Sequence, residues 1–416
     1  MSLADKASLL LIPTGYNAQK VYSIFPTSGV GDFTFSRSGS ATRIAKNGLI
    51  TTVDSNIPRL EYPLIDGVVS GCPSLLLEPQ STNLVTYSED FSNAAWTKSN
   101  SSIVSNSTIS PDGTLNASKL TVNTSAGYLA GTFISSGNTD ITVSFFVKSD
   151  TLSNFNFAES FYFGTITNFD LSNGTTDNGK IENYGNGWFR CSKTYTYASG
   201  QQIVAIQIKT GTVGSLYIFG GQYEQGSYPT SYIKTNGSPT TRSAETANGS
   251  GDAATFNDSE GVLMAEISAL DNDLTNRYIS ISDGTANNRI LIRYVAGFSN
   301  TVGLFAVVGG TEQATLLYEV NDILDNIKVL IKYKQNDYSL WVNGFEVDTD
   351  TIGIVPSENT LDRLNFANID GSTFPFYGKT KQVQYYDSAL TDSELEQLTS
   401  WTSFTDMAQG QQYSIK

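Results

Sequence analysis

Residues 332–349 read KYKQNDYSLWVNGFEVDT, and this stretch decides the fold class of the chain. Two runs rich in β-branched and aromatic residues are joined by the polar residues 335–337. A second turn follows at Asn343-Gly344, the strongest short hairpin dipeptide, because both of its residues readily adopt positive φ. The stretch therefore predicts consecutive antiparallel strands.

Further strand candidates lie on both sides of this hairpin. Each is a short apolar or alternating run that is bounded by turn residues. They are residues 261–267, 278–282, 289–295, 303–308, 327–332, 339–342, 363–366 and 382–386. One helix is expected after them, because Thr391 and Glu394 have the spacing of a capping box ahead of Leu395 and Leu398.

The order of these features resembles the end of the concanavalin-A/laminin-G-like jelly roll. The matching features are Trp-Val-Asn-Gly at 341–344, a strand, and Tyr-Tyr-Asp-x-x-Leu-Thr-x-x-Glu at 385–394. The resemblance implies a β-sandwich over residues 261–400. It implies no particular ligand, because one fold serves many functions.

Residues 81–240 contain a second series of short strands with period-two alternation. The candidates are residues 142–148, 155–158, 187–197, 203–209 and 216–220. Strands of this length, separated by turns, predict a second antiparallel sandwich. The segment 217–242, YIFGGQYEQGSYPTSYIKTNGSPTTR, resembles the closing strand and exit of jelly-roll carbohydrate-binding-like domains in phage tail proteins.

The remaining segments complete the expected domain organisation. Residues 241–260 are small and polar and predict a linker between the two sandwiches. Residues 1–80 predict a small β-rich module, with strand candidates at 8–12, 21–24, 33–37, 48–52 and 74–77. Residues 401–416 are expected to form a C-terminal tail. The whole chain is thus expected to be all-β, with antiparallel jelly-roll sandwiches in tandem and one short helix.

A second informative stretch begins in the small module. Residues 31–96 read GDFTFSRSGSATRIAKNGLITTVDSNIPRLEYPLIDGVVSGCPSLLLEPQSTNLVTYSEDFSNAAW. The matching elements are Phe35-Ser36-Arg37, Ser40-Ala41-Thr42-Arg43, Gly48-Leu49-Ile50, Pro58-Arg59, Leu76-Leu77-Glu78 and Thr82-Asn83-Leu84. In order and spacing they resemble a module of tailed-bacteriophage virion proteins, mostly fibre, spike and head-decoration proteins.

This second resemblance implies a location and a set of partners. It implies a protein of the virion surface, synthesised in the cytoplasm of the host bacterium, whose residues 1–80 attach it to capsid or tail proteins. It also implies adhesion to host-surface glycans. Phage fibres are commonly trimeric and closed symmetry is the rule for homo-oligomers, so a homotrimer is expected. A head fibre and a tail fibre both fit the resemblance.

Composition and charge exclude several functions. The chain has 25 Lys and Arg against 40 Asp and Glu, a net charge of −15. Such a surface repels nucleic acid, whose binding requires cationic residues that displace counterions, and anionic membranes. The apolar run 9–12 is too short for a signal-peptide core or a membrane span, so no membrane insertion is expected. The chain has no His, which excludes Ser-His-Asp catalysis within it, and its two Cys cannot form a zinc site.

Paired carboxylates are the remaining route to catalysis. Glu346, Asp348 and Asp350 follow the Asn343-Gly344 turn, and in a regular strand they would share one face. They resemble the Glu-x-Asp-x-x-Glu motif of laminarinase-type hydrolases, although the third Glu is missing. A solvated strand face is the interpretation that we favour, so no enzymatic activity is expected.

Calcium is a further option, because hard cations take six to eight oxygen ligands. Asp271 and Asp273 lie in one oxygen-rich loop and Asp283 lies in another. The alternative is ordinary turn chemistry, in which Asp and Asn side chains accept hydrogen bonds from their own backbone.

Four aromatic side chains are candidate sugar platforms: Trp96, Tyr162, Phe163 and Tyr184. Core packing is the competing interpretation for each of them. Trp188 and Trp341 alternate within predicted strands and are expected to fill cores.

Three arginines, Arg37, Arg43 and Arg59, belong to the phage-like module. Guanidinium groups suit bidentate pairing with carboxylates. The arginines therefore either pair internally with Glu61 or Glu78, or form the face that docks on a partner subunit.

These observations favour a non-enzymatic phage virion structural protein that adheres to glycans. Two other classes remain open: a spike that depolymerises capsular polysaccharide, and a secreted carbohydrate-binding adhesin.

Overall fold

The computed structural model describes residues 3–133, 139–159, 166–197, 204–369 and 371–401. It confirms the all-β class: antiparallel strands make up most of the described chain, with a 3-10 turn at Leu3–Lys6 and one α-helix. The strands before residue 84 are β1 (Leu9–Leu11), β2 (Tyr16–Asn17), β3 (Lys20–Val21), β4 (Phe33–Ser36), β5 (Ala41–Ile44), β6 (Ile50–Val53), β7 (Arg59–Glu61), β8 (Leu64–Ile65), β9 (Val68–Val69), β10 (Ser74–Leu77) and β11 (Ser81–Asn83).

The next twelve strands form the middle of the chain. They are β12 (Trp96–Ser99), β13 (Ser101–Ile109), β14 (Leu115–Val122), β15 (Tyr128–Phe133), β16 (Thr139–Ser149), β17 (Asn154–Glu159), β18 (Ile166–Asp170), β19 (Thr175–Thr176), β20 (Lys180–Gly185), β21 (Trp188–Tyr197), β22 (Val204–Lys209) and β23 (Gly214–Gln225).

The remaining elements run to the C-terminal part of the chain. They are β24 (Thr240–Arg242), β25 (Thr246–Asn248), β26 (Glu260–Ala269), β27 (Arg277–Ser282), β28 (Arg289–Tyr294), β29 (Thr301–Val308), β30 (Thr311–Glu319), β31 (Ile327–Lys334), β32 (Tyr338–Val342), β33 (Phe345–Asp350), β34 (Arg363–Asn365), β35 (Gly378–Tyr386) and α1 (Asp392–Thr399).

The middle strands form two six-stranded sheets, which we call the middle sandwich. One sheet has the order β12-β15-β22-β17-β18-β19 and the other the order β13-β14-β23-β16-β21-β20. Period-two alternation on β16 and β21 sends Phe145 and Cys191 into the core between the sheets, where both are fully buried. β20 lies at the edge of its sheet.

The late strands form the C-terminal sandwich. Its five-stranded sheet has the order β30-β29-β28-β27-β34, and its larger sheet contains β33-β32-β31-β26-β35. Inward-facing residues such as Ile279, Ile292, Leu304 and Val329 fill the core between the sheets. The hairpin turn predicted at Asn343-Gly344 is present, and both residues have positive φ.

Strands of the first 80 residues extend the larger sheet of the C-terminal sandwich. β1 and β10 both pair with β35, and β7 pairs with β10. Leu9, Phe33 and Leu75 share the same core as the late strands. The small module and the C-terminal sandwich are therefore one packed body, although 180 residues lie between them in sequence.

The structure differs from the predicted linker at 241–260. β24 pairs with β11 and β25 pairs with β4, while Glu245 between them is 1% exposed. Small polar residues predict a linker only when nothing pairs with their backbone, and here β4 of the small module and β11, which follows that module directly, pair with these strands.

The helix predicted from the spacing of Thr391 and Glu394 is confirmed. It begins at Asp392, and the backbone N–H of the N-cap residue Thr391 donates to Glu394 Oε2 at 3.0 Å. Its Leu395 packs with Trp341 on the outer side of the larger sheet. Over the described residues, the structure contains no helix of the length and apolarity that a bilayer crossing requires.

Candidate functional site

A cleft of about 330 Å³ lies where the small module, the middle sandwich and the C-terminal sandwich meet. We call it the central cleft. The module contributes β5 and β7, the middle sandwich contributes β16, β20 and β21, and the C-terminal sandwich contributes the end of β26 and Lys379 of β35. Its walls therefore come from segments that are far apart in sequence.

Close backbone packing fixes one wall of the cleft. Gly67, in the turn between β8 and β9, lies against Gly185 at the end of β20. Both glycines have positive φ, and a Cβ on Gly185 would lie 2.4 Å from the carbonyl oxygen of Gly67. Only glycine permits this approach, so the contact holds the β8–β9 hairpin beside β20.

Tyr184 forms an aromatic wall of the cleft. Its ring meets Phe146 edge to face, with centroids 4.9 Å apart, and the residue is half-buried. Burial raises the pKa of the Tyr184 phenol, so the hydroxyl is a neutral donor at physiological pH. One of the four predicted sugar platforms thus lies in a cleft.

Arg190 is the main cation of the site, and the sequence analysis missed it. Its Nη2 donates to Ser144 Oγ at 3.1 Å and to the Thr230 carbonyl at 2.7 Å, and its guanidinium lies over Phe146 at 5.4 Å. The residue is 4% exposed, and its buried Nε has no hydrogen-bond partner. The sequence did carry a signal for Arg190, because this residue alternates with Trp188 and Ser192 on the outer face of β21.

Two carboxylates, Glu61 and Glu182, lie near the cations of the central cleft. Glu61 accepts from the Ile44 N–H at 2.9 Å and lies 3.9 Å from Lys379 Nζ. Burial raises the pKa of Glu61, although Lys379 opposes the shift. Burial also acts to raise the pKa of Glu182, but Lys180 and Arg190 outweigh it and the net shift is downward.

A second hollow of about 530 Å³ continues the cleft along the β8–β9 hairpin. The two hollows share Ile44, Glu61, Glu182, Tyr184 and Lys379. The result is a groove with an aromatic wall and both donors and acceptors along its length. Ligands that carry many hydroxyl groups match this mixture, because each hydroxyl both donates and accepts.

The other predicted aromatic platforms lie elsewhere. Trp96 is 3% exposed and packs against Phe91 and Phe145, and its Nε1 donates to the Tyr87 carbonyl at 2.8 Å. It fills the middle core and offers no ring face to a glycan. Tyr162 and Phe163 lie outside the described residues. Trp188 and Trp341 are buried in cores as expected.

The predicted arginines separate into two groups. Arg37 and Arg59 are fully buried and pair with Glu245, and Arg59 also meets Glu78 at 2.8 Å. For Arg37 and Arg59 the structure therefore shows pairing within the chain and not a docking face, because neither guanidinium reaches a surface that a partner could touch. Arg43 instead lines the central cleft, stacked over Tyr16 at 5.7 Å, with a buried Nε that lacks a partner.

The predicted calcium ligands accept hydrogen bonds from the chain itself. Asp271 accepts from Ser227 Oγ at 2.5 Å, Asp273 pairs with Arg277 at 2.7 Å, and Asp283 accepts from Asn288 Nδ2 at 2.8 Å. Asp273 and Asp283 also accept from backbone N–H groups two residues on, which is turn chemistry. The described residues contain no group of three acidic, His or Cys side chains placed to hold a metal ion.

The predicted carboxylate face on β33 is divided by a β-bulge. Asp350 pairs with Tyr338 and Asp348 with Leu340, but Glu346 pairs with Trp341, so one extra residue is inserted at Val347. Cross-strand partners share a face, so Glu346 lies on the opposite side of the sheet from the two aspartates. The three carboxylates do not line one cleft.

Comparisons with known proteins concern the sandwich architecture alone. No protein-family model matches the chain, and no curated protein matches it. Among solved structures, a carbohydrate-binding module (CBM40) of the Ruminococcus gnavus IT-sialidase, bound to sialyllactose, is 18% identical, covers 36% of this chain and 86% of its own, and has a TM-score of 0.31.

Two further solved structures are similar to the same degree. Domain 4 of the Geobacillus stearothermophilus arabinanase AbnA, in complex with arabinotriose, is 12% identical over 42% of this chain and 82% of its own, with a TM-score of 0.31. A pentraxin of Limulus polyphemus is 13% identical over 35% of this chain and 71% of its own, with a TM-score of 0.28. Likenesses of this degree decide nothing about what this chain binds.

Proposed function

We propose that this chain is a non-enzymatic surface protein of a tailed-phage virion and that its central cleft binds host-surface glycans. The observation that carries the glycan proposal is the cleft itself. Tyr184 provides a ring, and Arg190 and Arg43 both carry a buried Nε without a partner.

The unmet hydrogen-bond capacity of the cleft supports a ligand. A buried donor without a partner costs about 1–3 kcal/mol, and the chain bears this at two arginines on one cleft. A sugar hydroxyl accepts from such a donor, while its C–H face packs on an aromatic ring. Glycan binding therefore uses both features at once.

The virion assignment rests on the sequence resemblance within residues 31–96. The absence of His and the divided carboxylates of β33 support a binding role over a hydrolytic one. Attachment through the first 80 residues and a homotrimeric state are part of the same proposal.

The glycan proposal is tested by screening the full chain on bacterial O-antigen and capsular oligosaccharides, then titrating the tightest ligand by calorimetry. Tyr184→Ala is expected to weaken binding about tenfold, equal to about 1.4 kcal/mol, whereas Tyr184→Phe retains most of the affinity. Tyr318→Ala, which removes an exposed tyrosine on β30, is the matched control and leaves affinity unchanged. Equal affinity in all variants would contradict a site in the central cleft.

The virion proposal has separate tests. Antibodies against the chain are expected to label intact particles of a phage that encodes it, and purified chain is expected to reduce adsorption of that phage. Light scattering after size exclusion is expected to give the mass of three chains. Unlabelled particles would contradict the virion location, and a monomer would contradict the trimer.

A further inference from the structure

A second cluster of cations lies outside the central cleft, on the outer face of the five-stranded sheet. Arg289 and Arg293 both point outward from β28, because Ile290 and Ile292 between them point into the core. Their guanidinium groups lie over the ring of Phe305 on the neighbouring β29, at 5.4 Å and 4.6 Å from its centroid.

Neither arginine of this cluster forms an ion pair within the described part of the chain. Arg289 Nη1 donates to Asn368 Oδ1 at 3.1 Å, and the side chain of Arg293 forms no hydrogen bond with a described residue. The Nε atoms of both are buried without partners. Acidic residues outnumber basic ones by 40 to 25 in this chain, so two neighbouring arginines without a carboxylate partner stand out against its acidic composition.

Aromatic and amide groups surround the pair. Tyr278 on β27 contacts Phe374 with ring centroids 5.0 Å apart, and Phe374 is 45% exposed. Ser280 Oγ donates to the carbonyl of Ala367, which precedes Asn368, at 2.7 Å, and the Tyr278 N–H donates to the Phe374 carbonyl at 3.1 Å. The strands on one side, and Asn368 and Phe374 on the other, therefore place both cations beside exposed ring surface.

Two like charges placed together oppose each other. Burial lowers the pKa of Arg289, and although Tyr278 opposes this effect, the charge of Arg293 adds to it. An arrangement of this kind gains most from an anion, because guanidinium groups bind carboxylates through paired, charge-assisted hydrogen bonds.

We propose that Arg289, Arg293 and Phe305 form an anion-binding site that takes the carboxylate of an acidic saccharide. The guanidinium groups hold the carboxylate, and the exposed ring of Phe374 packs on the sugar. This site is separate from the central cleft, so it goes beyond the glycan binding proposed there. The chain would then have two saccharide sites, one for hydroxyl-rich and one for acidic residues.

The test titrates the full chain with oligogalacturonate and with hyaluronan fragments by calorimetry. Binding of at least one of them is expected, and Arg293→Gln and Arg289→Gln should each weaken it at least tenfold. Arg363→Gln is the matched control, because Arg363 is a comparably exposed arginine on the same sheet that pairs with Asp362. Tyr184→Ala should leave this binding unchanged, which separates the site from the central cleft.

Chemical controls define the carboxylate requirement. The methyl ester of oligogalacturonate is expected to lose binding, and added salt is expected to weaken binding of the free acid. The unfolding midpoints of both Gln variants should match that of the parent chain. No binding of either acidic probe, equal affinity in the Gln variants, or full competition by equimolar sulfate, which would mean an adventitious ion only, would each overturn the proposal.

Discussion

The arginines of this chain occupy two kinds of environment, and the contrast separates structural roles from binding roles. In the buried network, Arg37, Arg59 and Arg242 meet Glu78 and Glu245 in the seam between the small module and the two sandwiches. At the two proposed binding sites, Arg43, Arg190, Arg289 and Arg293 form no close ion pair within the described residues, although the charge of Arg190 helps to lower the pKa of Glu182.

The difference lies in what each guanidinium still lacks. Arg37 is satisfied five times over: by Glu245, by the carbonyls of Ile57 and Val53, and by further carbonyls of the same loops. Such a group has no free donor for a ligand, and its hydrogen bonds and ion pair offset the cost of burying its charge. The arginines of the two sites each keep a buried Nε without a partner, as Arg242 of the network also does, but unlike Arg242 none of them forms an ion pair with a described carboxylate. The contrast teaches that ion pairing with carboxylates, rather than arginine content, separates structural arginines from candidate binding arginines in an acidic protein.

Among the substitutions considered, Glu245→Gln should cause the largest loss in the free energy of unfolding. It leaves Arg37 and Arg59 as buried charges without full compensation, and breaking such a network costs about 3–5 kcal/mol. The free energy of unfolding from urea titration measures the loss. Glu312→Gln, at an exposed position on β30, is the control and should change stability by less than about 0.5 kcal/mol. A loss of that small size at Glu245 would mean that the network does not stabilise the seam.

The pH dependence of stability tests the same network through Glu78. Burial acts to raise its pKa, but Arg242 and Arg59 outweigh burial, and the folded pKa is well below the ordinary value. A depressed carboxylate pKa contributes stability that is complete above the unfolded pKa near 4.3 and is lost as pH falls toward the folded pKa. The stability difference between parent and Glu78→Gln should therefore be constant near neutral pH and narrow below about pH 4. A difference that stays constant down to about pH 3 would contradict this linkage.

Substitution of an arginine without a carboxylate partner should lower ligand affinity and leave stability nearly unchanged. Arg293→Gln removes a cation–π contact worth about 0.5–1 kcal/mol, and relief of repulsion from Arg289 offsets part of this. Unfolding by urea should show a change of less than about 1 kcal/mol, while affinity for the acidic saccharide falls. A loss as large as that of Glu245→Gln would place Arg293 with the structural arginines.

An exposed ion pair should have the smallest effect. Lys6 pairs with Glu394 of the helical capping box, and its side chain is 42% exposed. Lys6→Ala should cost less than about 1 kcal/mol, and the difference should shrink in high salt because surface pairs are screened. A larger loss that persists in salt would mean that this contact docks the N-terminal turn firmly on the helix.

Local sequence signals predicted local structure well. The apolar run at 74–77 predicted β10 with its observed bounds, and the spacing of Thr391 and Glu394 predicted the start of the helix. These features depend on neighbours within a few residues. Tyr184 was among the candidate residues and lines the cleft, and the pairing of Arg59 with Glu78 belongs to one of the two alternatives that the sequence left open for the arginines.

Long-range pairing could not be predicted in the same way. Glu245 meets Arg37 across 208 residues, and its own neighbours are small and polar like those of a linker. The bulge at Val347 is set by pairing with β32, so the side of the sheet that Glu346 occupies cannot be read from its spacing to Asp348. The central cleft needs three separate parts of the chain, and only Tyr184 and Arg43 of its lining were singled out as candidate site residues in advance.

Hydrogen-exchange mass spectrometry of the chain, with and without the tightest oligosaccharide from the glycan screen, tests the central claim most directly. Ligand at the central cleft is expected to protect peptides that cover β5 and β20–β21, and to leave peptides that cover β32–β33 unchanged. Protection confined to other parts of the chain, with β20–β21 unaffected, would contradict the central cleft as the glycan site.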